Sequence, residues 1–110
     1  MDHLRAIAEK NRIKIAKGFM CRYLGAILLN LGSSHLAEAE RWTEKAIQAD
    51  STNGIRFHLG LDHAFYGEFF KQQGELDKAQ KEFGKAVDTM QGCGADGWVK
   101  KYEEELAALA

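Results

Sequence analysis

The chain has 110 residues, 45% hydrophobic and 28% charged, with a formal net charge of −1, a composition that fits one globular domain and excludes disordered, collagenous and disulfide-scaffold chains. It contains no proline and few strand-type alternations, so long helices joined by short turns are expected. No stretch reaches the roughly 20 apolar residues of a membrane span, and the opening "MDHLRAIAEK" lacks the apolar core of a signal peptide; a cytoplasmic protein with no membrane contact is expected.

A first helix is predicted from Asp2 or Asn11 to Leu31, turning at Gly32. It contains Gly18 and Gly25, seven residues apart, each costing a helix interior roughly 0.5–1 kcal/mol against alanine. A second helix is predicted from Leu36 to Ala49. Ser51, Thr52 and Asn53 are N-cap candidates for a third, which carries Gly60 and Gly67 and ends at Gly74. A fourth runs from Leu76 to Met90 and stops at "GCG", where glycine suits the left-handed end of a helix. Asp96 is expected to cap a last helix, with Trp98, Tyr102 and Leu106 on one face.

The chain repeats itself. At an offset of 42, "NRIKIAKGFMCRYLGAILLNLG" aligns without a gap with "NGIRFHLGLDHAFYGEFFKQQG", placing Gly18, Gly25 and Gly32 on Gly60, Gly67 and Gly74. Beyond the third glycine the offset becomes 40, and "LAEAERWTEKAI" pairs with "LDKAQKEFGKAV". The two extra residues of the first copy fall in the turn "GSSHLAE", where insertions are tolerated. A period near 40 made of two helices is the signature of stacked helical repeats.

These residues resemble the tetratricopeptide repeat family. Its pattern of a Leu-Gly pair, a turn glycine, an alanine, an aromatic and a second alanine is matched by Leu24-Gly25, Gly32, Ala39, Trp42 and Ala46, and again by Tyr66-Gly67, Gly74, Ala79, Phe83 and Ala86. The family's inter-repeat proline is absent, and the repeats exceed the common length of about 34 residues. The tail "CGADGWVKKYEEEL" is similar to the C-terminal end of large bacterial multidomain proteins that carry ATPase or nucleotide-cyclase modules. The resemblance implies an all-α fold, an antiparallel helix-hairpin array of right-handed superhelical sense. It forms a single domain over residues 1–110, with repeat one about 11–50, repeat two about 53–91 and a C-terminal capping helix about 96–109. The glycine of each Leu-Gly pair then admits the facing helix near Ala39 or Ala79. Gly18 and Gly60 extend that close contact by one heptad.

Motifs for chemistry are absent. His58, Asp62 and His63 lie close in sequence, but no His-Glu-x-x-His spacing occurs, and His58 and His63 stand about 140° apart on a helix. A local hydrogen bond or solvent exposure is expected for them, not a metal. Cys21 and Cys93 form no CxxC pair and are expected to be free thiols, buried or half buried. Phosphate loops, nucleophile elbows and Cys-His arrangements are missing. Glu103, Glu104 and Glu105 read as a solvated face. No catalytic residue, metal or cofactor is expected.

Residues 1–32 carry six Lys/Arg against two acids, and residues 33–110 nine against fourteen. The basic charges are spread around the helix, which argues for solvation over nucleic-acid binding. Tetratricopeptide arrays bind peptides along a face made mainly by first helices. Carried over from the Leu-Gly register, that face consists of Phe19, Arg22, Ala26, Leu29 and Asn30, then Leu61, Ala64, Glu68, Lys71 and Gln72. Ala26, Ala64 and Glu68 break the clamp that some relatives use for acidic chaperone tails. The leading expectation is a non-enzymatic module that binds a peptide or protein segment. The alternatives are a homodimerisation element of a larger bacterial signalling protein and a basic-helix binder of nucleic acid or a small ligand. Two repeats fall short of the three usually needed to bury a continuous core, so the first helix, a second copy or an upstream repeat is expected to cover the remaining apolar surface.

Overall fold

A computed structural model describes residues 2–109 as helices α1 (Asp2–Asn30), α2 (Leu36–Asn53), α3 (Arg56–Gln72), α4 (Leu76–Gly92) and α5 (Asp96–Leu109), with a 3-10 turn at Ser33–His35 and no strand among the described residues. The chain is therefore all-α. Among the described residues, no helix is long and apolar enough to cross a membrane.

Glycine sets the turns. Gly54, Gly74 and Gly94 are twenty residues apart and each has φ between 70° and 76°. The N–H of the next residue returns to the carbonyl five residues earlier, Ile55 to Asp50 at 2.9 Å, Glu75 to Phe70 at 2.9 Å and Ala95 to Met90 at 3.0 Å. These are Schellman closures, which satisfy helix-end carbonyls in a conformation that costs a side-chain-bearing residue strain. The α1–α2 connection differs, because the inserted residues form the 3-10 turn.

Two expectations about helix ends are corrected by these turns. Ser51, Thr52 and Asn53 do not cap α3; they form the last turn of α2, and Ile55 precedes α3 without a side-chain cap. An N-cap needs non-helical dihedrals, whereas α2 continues through Asn53 and keeps Asp50 on its inner face. Asp96 likewise is the first residue of α5; the Ala95 carbonyl accepts the Trp98 and Val99 N–H groups, both at 3.0 Å. The first helix is one continuous rod through Asn11.

The interior glycines reveal how the helices pair. A Cβ on Gly18 would overlap the Asp50 carboxylate, and one on Gly25 would lie 2.9 Å from Thr43 Oγ1 and 3.2 Å from the Ala39 carbonyl. Rising positions on α1 meet falling positions on α2, so the two are antiparallel. In α3 and α4 the same arrangement recurs: a Cβ on Gly60 would lie 2.7 Å from Met90 Cε, and one on Gly67 would lie 2.8 Å from the Phe83 ring. At Gly67 the facing group is Phe83, not Ala79 as expected. The contacts obey the sequence repeat: Gly18/Gly60 and Gly25/Gly67 differ by 42, Asp50/Met90 and Thr43/Phe83 by 40.

The hairpins stack with first helices in step. Arg22 bonds Asp62, Phe19 packs edge-on against His58 at 6.1 Å, and the Gly25 position faces Phe65. Rising positions on α1 thus meet rising positions on α3. Between hairpins, Ala39, Phe69, Phe70 and Ala79 form one buried cluster, and Ala64, Phe83, Ala86, Val87, Met90, Val99 and Tyr102 form another, under α5. Each large side chain buried here contributes roughly 1.5–3 kcal/mol. Gln80 Nε2 donates to the Leu109 carbonyl at 3.3 Å, tying the end of α5 to α4.

The radius of gyration is 15.0 Å, with a long axis of 53 Å, against roughly 13 Å for a compact chain of about this length. The excess comes from α1. Gly18 already faces Asp50, near the end of α2, so the first dozen or so residues of α1 project about 20 Å beyond the array.

Candidate functional site

Two regions draw on residues singled out in the sequence. One lies where α1, α2 and α3 meet; the other is a depression between α3 and α5.

At the junction, Arg22 Nη1 donates to Asp62 Oδ1 at 2.7 Å and to the His58 carbonyl at 3.3 Å, while Nη2 is 3.4 Å from His58 Nδ1. The guanidinium lies 5.4 Å from the centre of the Phe19 ring. Asp50 and Asp62 are both fully buried. Both oxygens of Asp50 and Oδ2 of Asp62 have no donor when the groups are counted as carboxylates. Burial, then a hydrogen bond with Asp50, pushes the Asp62 carboxyl up to about 9 against the pull of Arg22. Two carboxylates in one dry site cannot both ionise. With its proton kept, the Asp62 carboxyl can donate to one Asp50 oxygen, while its Oδ1 accepts from Arg22.

Asp50 occupies the slot that Met90 fills in the second copy. Asp50 is a buried acid in a position built for an apolar side chain, and no local motif marks it. The internal alignment carries the signal, since Asp50 faces Met90 across the offset of 40.

Of the other flagged polar groups, His63 Nδ1 is 2.8 Å from Glu82 Oε2, with Lys85 Nζ 3.5 Å from Glu82 Oε1. Burial pushes the Glu82 carboxyl up, but the His63 hydrogen bond and Lys85 outweigh it and hold it below the usual range. His58 and Asp62 share Arg22 and make no direct hydrogen bond. His58 and Asp62 meet at Arg22, while His63 turns to Glu82 on α4. Among the described residues, no cluster of three His, Cys, Asp or Glu side chains is placed to hold a metal. Cys21 is buried and its thiol pushed up by that burial. Cys93 is exposed, contrary to expectation, because it follows α4 at the turn closed by Gly94.

The ten predicted groove residues separate into groups. Leu61, Ala64 and Glu68 line a depression of about 270 Å³ together with Phe65, Lys101, Tyr102 and Glu105. Lys71 Nζ stands 3.6 Å from Glu105 at its edge. Leu29 packs half-buried on the Phe69–Phe70 cluster, Ala26 is half-buried, and Asn30 and Gln72 are exposed at the ends of their helices. Phe19 is partly exposed beneath Arg22. Arg22 is committed to Asp62, so it anchors α1 to α3 and is not a free cation of the groove. Lys101, Tyr102 and Glu105 of α5 were missed as lining residues, because the helix was read only as a cap.

A larger, open trough of about 540 Å³ runs along α1 and α2 past Lys17, Cys21, Trp42 and Lys45, with Lys45 Nζ 4.5 Å from the Trp42 ring centre. None of the predicted groove residues lies in it. Comparison with known protein families, curated proteins and solved structures gives no match to this chain.

Proposed function

We propose that the chain is a non-enzymatic protein-interaction module of tetratricopeptide type, an array of antiparallel helix hairpins that binds a peptide or protein segment along its first helices. The observation that carries this reading is the depression between α3 and α5. Its floor is apolar, with Leu61, Ala64, Phe65 and Tyr102, and its rim carries Glu68, Glu105 and Lys101. At about 270 Å³ it falls below the roughly 300–1,000 Å³ of small-molecule pockets. It suits one anchoring side chain of a longer segment, held by charges of both signs. The in-step stacking of α1 on α3 and the glycine contacts that repeat with the sequence support the repeat reading. On this reading α5 supplies the third wall of the groove as well as the cap.

The test is selection of binding peptides from a displayed random library on the purified chain, with calorimetry for affinity and amide chemical shifts for location. Shifts are expected at Leu61, Phe65, Glu68, Lys101 and Glu105, and the pair Glu68→Lys with Lys101→Glu should weaken binding about tenfold or more. Shifts confined to other surfaces, or no selectable peptide, would refute the groove.

A further inference from the structure

The outer face of α1 is apolar and uncovered. Ile13, Met20 and Ile27 fall at heptad spacing with exposures of 64%, 60% and 45%, flanked by Tyr23 at 60%, Leu24 at 38% and Leu31 at 62%. Helix α1 thus has an apolar stripe on each side: Gly18, Cys21 and Gly25 turn in toward α2, and the heptad stripe turns out. A helix apolar on both sides is a buried helix.

The chain's own repeat shows what this face does. At the offset of 42, Met20, Tyr23, Leu24 and Ile27 correspond to Asp62, Phe65, Tyr66 and Phe69 of α3. There the face is covered: Phe65 meets the Gly25 position, Tyr66 bonds Glu40 and Glu44 of α2, and Phe69 packs with Ala39. In α5, Val99 and Tyr102 are covered in turn by Phe83 and Met90 of α4. Among the described residues, the first helix leaves this face uncovered.

We infer that two copies of the chain pair through the outer stripes of their α1 helices, antiparallel about a two-fold axis near Tyr23. Six side chains each showing on the order of 100 Å² give about 600 Å² per protomer and about 1,200 Å² in all, the size at which stable specific interfaces begin. Heptad spacing makes the stripe complementary to a second helix of the same kind, and a two-fold axis uses one patch twice. Charge selects the direction. Residues 2–17 carry Arg5, Lys10, Arg12, Lys14 and Lys17 against Asp2 and Glu9; a parallel pair sets these basic halves side by side, and an antiparallel pair separates them. Phe19, Met20, Tyr23 and Leu24 ring a shallow, wholly apolar depression of about 210 Å³, which receives a side chain from the partner. This pairing does not depend on the peptide groove, which opens between α3 and α5.

Light scattering of the wild type from about 5 to 500 µM should give twice the 12.3 kDa chain mass, and Met20→Glu with Ile27→Glu should give a monomer of unchanged helical circular dichroism. Because both side chains are exposed in the protomer, the double variant should fold. In a Cys93→Ser background, Tyr23→Cys should cross-link to itself, and Ile13→Cys should cross-link only to Leu31→Cys. A wild-type monomer at the highest concentration overturns the proposal and leaves the stripe to a preceding helix or a different protein. A dimer that survives the double substitution also overturns it, and self-linking of Ile13→Cys overturns the antiparallel arrangement.

Discussion

Gly67→Ala and Gly84→Ala make the same chemical change in adjacent helices, and the structure assigns them opposite signs. Both gain the helix preference of alanine, worth about 0.5–1 kcal/mol. Around Gly84 no atom lies within 4 Å of the added methyl, so the gain stands and Tm should rise by about 3–6 °C. Around Gly67 the methyl would sit 2.8 Å from Cδ2 and Cε2 of Phe83. That ring is 2% exposed and is backed by Tyr102, its ring centre 6.3 Å away. It cannot retreat without moving α5, and overpacking of this kind costs about 1–3 kcal/mol. The net effect should be a loss of up to about 2.5 kcal/mol, after subtracting the propensity gain. Thermal and urea unfolding followed by far-ultraviolet circular dichroism measures both. If Gly67→Ala stabilises the fold as much as Gly84→Ala, the interior glycines are not there to admit the facing helix.

The buried acid pair should make stability depend on pH. Asp62 has its carboxyl raised from 3.8 to about 9, so its favourable contribution is complete below about pH 4 and is lost as pH rises toward 9, at up to about 1.4 kcal/mol per pH unit. Glu82, held low, acts in the opposite sense, losing its contribution as pH falls through its folded value. Urea midpoints between pH 5 and 9 should therefore fall with pH for the wild type and stay nearly level for Asp62→Asn; parallel curves would show that Asp62 does not hold its proton in the fold. Tyr66→Phe should cost about 1–2 kcal/mol, since its hydroxyl donates to Glu40 at 2.7 Å with Glu44 at 3.2 Å, while the ring keeps its stack on Phe70 at 4.4 Å. An equilibrium unfolding free energy within about 0.3 kcal/mol of the wild type would mean that water serves the two acids equally well.

Local pattern carried most of the architecture. The offset of 42 fixes which glycines are equivalent, and the contacts at Gly18, Gly25, Gly60 and Gly67 fall where that equivalence requires. Helix ends were less legible, because Ser-Thr-Asn is both a good cap and an acceptable last turn. The twenty-residue spacing of Gly54, Gly74 and Gly94 distinguishes the two readings, as it marks Gly54 as a helix terminator and moves the preceding residues into α2. Side-chain pairing across helices was not legible at all. Arg22 lies in a plausible groove position, yet its partner is an acid 40 residues away, and nothing local to either residue announces the pair.

The polar junction explains why α1 sits where it does. Helix pairs seamed by glycine and alanine have little shape to stop one helix sliding past the other, since small residues offer few knobs. In the second hairpin Met90 and Phe83 fill the space above Gly60 and Gly67 and fix the register by volume. In the first hairpin the corresponding side chains are Asp50 and Thr43, and they are smaller. There register is fixed by polarity. Rotating α1 by one residue would put the side chain of Lys17 or Phe19 into the space that Gly18 leaves for Asp50, and sliding it by a turn would leave Asp62 without Arg22. A buried carboxyl left without its donor costs about 1–3 kcal/mol, enough to disfavour the neighbouring registers. Fixing α1 by three polar side chains keeps its outer stripe in one orientation, which a second helix needs if it is to dock there.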